Sequence, residues 1–101
     1  MPLSALTTLC ERAYGVPEGS IAAWNRPAPI VDARFAFYRI ANDAGFTCHR
    51  IASFCGRTCA TVRRGVYKMR FYEANLPKTR EKMNQIRLEA LKILIAQCDW
   101  R

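Results

Sequence analysis

Acidic residues are missing from the middle of this chain: there is none between Asp43 and Glu73. The same stretch holds Arg50, Arg57, Arg63, Arg64, Lys68 and Arg70. A surface built only for solubility mixes both signs, so this segregation points to a polyanionic partner. It also leaves the basic zone without the carboxylates that a metal-dependent nuclease needs. Long apolar runs are missing too. The richest one, Leu88 to Ala96, is broken by Glu89 and Lys92, which excludes a membrane-spanning helix. Met1 to Leu6 has neither the basic start nor the apolar core of a secretory signal. Cys10, Cys48, Cys55, Cys59 and Cys98 make an odd set, which argues against a disulfide frame and for free thiols in a reducing cytoplasm. No phosphate-binding loop of the ATPase type occurs.

What is present is enough for one ordinary domain. The chain has 101 residues, half of them hydrophobic, so it can bury a core. Lys and Arg number 16 against 8 Asp and Glu, a formal net charge of +8. That excess favours nucleic acid first and an anionic membrane surface second.

Clean strand alternation and hairpin dipeptides are lacking, whereas helix signals recur. Ser4 is placed to cap a first helix carrying Leu6, Leu9, Cys10 and Ala13 on one face. Gly15 stops it, and Pro17 opens a short helix through Ile21 and Trp24. Asn25 to Pro29, with two prolines, is a loop. Ile30 to Asp43 forms the next helix, with Ile30, Ala33, Phe37, Ile40 and Ala41 as its apolar stripe. Thr47 caps a short helix whose core contacts come from Ile51, Ala52 and Phe54, and Gly56 breaks it. Thr58 then caps a helix to about Tyr72, with Val62, Val66 and Met69 toward the core. Phe35, Phe37, Tyr38, Phe71 and Tyr72 are assigned to the core in preference to base-stacking platforms for single strands, and Trp24 is assigned to the core with them. After Asn75-Leu76-Pro77, Thr79 starts a last helix. Met83, Ile86, Ala90, Leu94 and Cys98 line one side of it, with Leu88, Leu91 and Ile95 beside them.

The expected fold is thus all-α: roughly six helices, a compact helical domain containing a helix-turn-helix and, as the last of the six, a C-terminal amphipathic helix. Residues 1–76 are expected to form the DNA-binding domain. Residues 77–101 either pack back on it or dock a partner protein or second copy, with Trp100 as an interface anchor.

With Val62, Val66 and Met69 inward, the outer face of the second helix of the pair carries Ala60, Thr61, Arg64, Tyr67 and Lys68, flanked by Arg63 and Arg70. Small residues at its start let it enter a major groove, and basic residues further along reach phosphates. Free N–H groups near Thr58 to Ala60 add a phosphate site.

This order of residues resembles the C-terminal DNA-binding domain of the bacterial replication initiator DnaA. Ala36-Phe37-Tyr38, Thr47-Cys48-His49-Arg50-Ile51-Ala52 and Phe54-Cys55-Gly56-Arg57-Thr58-Cys59-Ala60-Thr61-Val62 carry the likeness, with Tyr14-Gly15-Val16-Pro17 upstream. It covers residues 3 to about 72. The resemblance implies base reading at Thr58, Cys59 and Ala60, where the family has Asp-His-Thr. The loss of that carboxylate and imidazole implies altered base preference. It also implies phosphate contacts at Thr61 and Lys68, and a minor-groove arginine at the position of Ala33 or Arg34. A free-standing domain of this type is similar to small DnaA-like activators of prophage-like gene transfer agents.

Other chemistries are weaker. Cys48, His49, Cys55 and Cys59 lack the paired spacing of a zinc site. No catalytic constellation appears, and neither a cofactor nor a metal is expected. The sequence therefore predicts a non-enzymatic, cytoplasmic, nucleoid-associated protein that binds double-stranded DNA and regulates transcription. Thr58, Cys59 and Ala60 face base edges; Arg57, Thr61, Arg63, Arg64 and Lys68 hold phosphates; Arg34 and Arg50 contact the flanking backbone or minor groove. An accessory role in replication initiation is the alternative within DNA binding. From another class, the alternative is a protein-interaction module acting through residues 79–101.

Overall fold

A computed structural model describes residues 2–21 and 28–97. Five helices make up the described chain: α1 (Pro2–Tyr14), α2 (Ala28–Asp43), α3 (Cys48–Cys55), α4 (Cys59–Asn75) and α5 (Pro77–Gln97). No strand occurs among the described residues. None of the described helices is long and apolar enough to cross a membrane.

α2 is the hub. Ala33, Ala36, Phe37, Tyr38 and Ala41 are fully buried, and α1, α3, α4 and α5 all pack on it. Alanine and a ring alternate along this helix, so neighbours approach closely where the side chain is small. The closest approach is at Gly65 of α4. A Cβ there would lie 2.4 Å from Cδ2 of the buried Tyr38 ring, so only glycine fits.

α3 and α4 are joined by Gly56, Arg57 and Thr58. Thr47 caps α3 by accepting from the Arg50 N–H, and Thr58 caps α4 by accepting from the Thr61 N–H. Gly56 closes α3 in the left-handed region (φ 67°), where its own N–H and that of Arg57 return to the carbonyls of Ser53 and Ala52. These local choices produce the expected short helix, tight turn and longer helix.

α5 completes the same core. Met83, Ile86 and Ala90 are buried in one cluster with Leu3, Leu6 and Met69, so α5 packs into the common core. An ion-pair network locks α5 to α2 and α4. Arg39 donates to Glu73 at 3.0 Å and contacts Asp43 at 3.4 Å; Arg87 reaches Asp43 at 3.2 Å and also pairs with Glu73. Burial lowers the Arg87 guanidinium, but the hydrogen bonds and charges of Glu73 and Asp43 outweigh it and push the group above its ordinary value.

Several expectations are corrected. α1 starts at Pro2, a residue suited to a first turn, so Ser4 lies inside the helix; its carbonyl accepts from the Thr7 and Thr8 hydroxyls. Pro17 to Ile21 form a turn, not a helix, closed by Ser20 N–H to Pro17 O. A buried Glu11 carboxylate, accepting from the Ile21 N–H, holds that turn on α1. α4 runs to Asn75, and α5 begins at Pro77 rather than Thr79. Trp24, Cys98 and Trp100 lie outside the described residues.

Candidate nucleic-acid interface

The outer face of α4 is open to solvent from end to end. Ala60, Thr61, Arg63, Arg64, Tyr67 and Lys68 are all exposed, while Val62, Gly65, Val66 and Met69 face inward. Arg64 and Lys68 are four residues apart, hence one turn apart on the same side. Lys68 is steadied from below: its Nζ lies 5.8 Å from the Phe35 ring centroid. Arg63 and Arg70, seven residues apart, follow a parallel line on the flank, and Arg70 lines a cleft with Arg80 and Arg87 of α5. No ion pair involves Arg50, Arg63, Arg64, Lys68 or Arg70 among the described residues, so their charge remains available to a polyanion.

The start of α4 is arranged differently for each of its three expected base readers. The Thr58 hydroxyl is occupied by the cap, and it shares a second hydrogen bond of 2.9 Å with the Thr61 hydroxyl. Cys59 is half-buried and its Sγ lies 3.4 Å from His49 Nδ1 on α3, which ties the two helix starts together. Ala60 is exposed and presents a methyl group. One of the two hydroxyl protons is used in the Thr58–Thr61 bond, which leaves the other to donate to a phosphate oxygen, whereas Ala60 offers only an apolar contact such as a thymine methyl accepts.

Two arginines expected in the interface face inward. Arg34 is 8% exposed; its Nε donates to the Ile21 carbonyl at 2.9 Å and its Nη2 to the Ser20 carbonyl at 3.4 Å. It therefore fastens the 17–21 turn to α2 and does not stand at the surface. Burial, then the Arg57 charge, lowers its guanidinium. Arg57 is half-buried in the turn, with its Nε shielded from water, beside the Tyr38 hydroxyl and Cys55. Burial, then the Cys55 charge, pushes the Tyr38 phenol up, against the lowering pull of Arg57 and Arg34. Arg34 thus serves the 17–21 turn, and Arg57 sits in the α3–α4 turn with its Nε inside. Ala33, the other candidate for the minor-groove position, is fully buried.

Phe71, expected in the core, is 59% exposed and stands on the surface, where it joins Tyr67, which is on the outer face as expected and 73% exposed. Ala60, Arg64, Tyr67 and Phe71 recur at four- and three-residue steps, so all four lie on one ridge, a relation the helical period already contains. Cys48, His49, Cys55 and Cys59 do not converge: no group of three or more His, Cys, Asp or Glu able to hold a metal exists among the described residues.

No protein-family model, no curated protein and no solved structure matches this chain.

Proposed function

We propose that this protein binds double-stranded DNA with α4 in the major groove and acts as a transcription regulator, a DnaA-like helix-turn-helix module of bacterial or prophage origin. The observation that carries it is the exposed, carboxylate-free cationic face of α4, set beside a capped three-residue turn and the exposed Arg50 on α3. Cations on such a face neutralise phosphates, and the small residues at the start of α4 let its backbone come close to base edges. Cys59 and Ala60 are the positions for base contact, with Thr58 and Thr61 at the phosphates. Without the family's carboxylate and imidazole there, base preference differs from that of the initiator.

Arg64→Ala or Lys68→Ala should lower affinity for all duplexes alike and shrink the slope of log K against log salt by about one unit each. Cys59→Ser should shift the preferred sequence instead. Duplex binding by both cation variants equal to wild type contradicts the assigned face.

Exposed Leu88 and Leu91 on α5 favour a second function, docking of a protein partner on that helix. Leu88→Glu with Leu91→Glu tests it: DNA binding persists while regulation in cells is lost.

A further inference from the structure

Beyond the α3–α4 face lies a cleft of about 430 Å³ where α2, α4 and α5 meet. Its walls include Arg39, Asp43, Arg70, Glu73, Arg80 and Arg87. Asp43 and Glu73 are both committed to Arg39 and Arg87, so the floor of the cleft is an internally neutralised box. Arg70 and Arg80 are exposed on its walls and make no ion pair among the described residues. Arg80 stands in the first turn of α5, which has no acidic residue, and Lys78 adds a second cation to that turn. Cations there oppose the positive end of the helix and cost stability. The arrangement is unfavourable for the isolated fold and favourable for an anion. Arg70 is also seven residues beyond Arg63 on the same flank of α4, about two turns along, so the cleft continues the cationic line of the proposed interface.

We infer that this cleft is a second phosphate-binding surface, in which Arg70 and Arg80 hold backbone phosphates of the same duplex that α4 enters. The duplex then lies along the length of α4 and reaches α5, and the C-terminal helix contributes to DNA binding. This rests on the DNA-binding function proposed above. The shared chemistry is a phosphate group, and the duplex backbone is favoured over a free anion because the cleft is open and continuous with the α4 flank.

The test compares wild type, Arg70→Ala/Arg80→Ala, Arg70→Lys/Arg80→Lys, Arg64→Ala and, as a control for net charge alone, Arg12→Ala on one labelled duplex. Salt titration and phosphate-ethylation interference are read for each. The alanine pair should shrink the salt slope by about two units and abolish interference at the outermost phosphates. The lysine pair should restore the slope, and Arg12→Ala should leave both readouts unchanged. The alanine pair should melt no lower than wild type, because Arg80 opposes the α5 dipole. An unchanged slope and footprint in the alanine pair, with Arg64→Ala still weakened, overturns this inference alone. Absence of duplex binding by wild type overturns the proposed function and this inference together. Thermal protection by millimolar inorganic phosphate that the alanine pair loses, with the DNA footprint intact, assigns the cleft to a free anion and also overturns it.

Discussion

Arg34 and Arg64 are the same residue type in the same basic protein, and their surroundings give them opposite duties. Arg34 spends its donors on the carbonyls of Ser20 and Ile21, whereas Arg64 points to solvent. Arg34→Ala should therefore lower stability by about 1–3 kcal/mol, since it strands two carbonyls, and leave the salt slope of DNA binding unchanged. Urea unfolding beside the salt titration checks both halves. Gly65 makes a second residue-scale case. Alanine normally favours a helix over glycine by about 1 kcal/mol, but here its Cβ meets the Tyr38 ring. Gly65→Ala should lower stability by a net of about 1–3 kcal/mol in the same assay. Cys10 supplies a pH dependence. Burial, with the Glu11 charge adding, pushes its thiol from 9.0 to about 12. A folded-state value above the unfolded one means that the stabilisation is fully present below the unfolded value and is lost as pH rises toward the folded one. The urea midpoint should fall between about pH 9 and pH 12, and Cys10→Ala should flatten that fall.

Among elements, the α3–α4 unit was the most legible in the sequence. Thr47, Gly56 and Thr58 are local signals, each answering a backbone group within a few residues, so no distant partner can overrule them. Gly56→Ala, forced to φ 67°, should cost about 1–2 kcal/mol and weaken DNA binding by misplacing the start of α4. Where tertiary contacts decide, the sequence was silent. Arg34 looked like a surface cation because its partners are backbone carbonyls thirteen and fourteen residues away. The stretch after Pro17 looked like a helix, but Glu11 and Arg34 hold it as a turn from outside. Phe71 was assigned by chemistry, an aromatic side chain, although its helical position put it with Arg64 on the outer ridge. The choice for α5 between packing and docking was open because its apolar residues exceed one stripe. Met83, Ile86 and Ala90 fill the core, and Leu88 and Leu91 stay outside. Removing residues from 77 onward should accordingly unfold the domain rather than trim a tail, which circular dichroism of the truncated chain checks.

At the scale of the molecule, the charges divide into two systems that adjoin at the cleft lined by Arg70. Carboxylates and arginines between α2, α4 and α5 cancel one another and fix the helices, while the exposed cations of α3 and α4 have no such partners among the described residues. Arg50, Arg63, Arg64, Lys68 and Arg70 thus form a cationic surface that takes no part in the ion pairs holding the described helices together. The most direct measurement is the affinity of the wild-type protein for a DNA duplex across a range of salt concentrations. Neutralisation of four to six phosphates predicts a log–log slope of about −4 to −5. Binding that does not change with salt, or no binding at low salt, contradicts a duplex held by that surface.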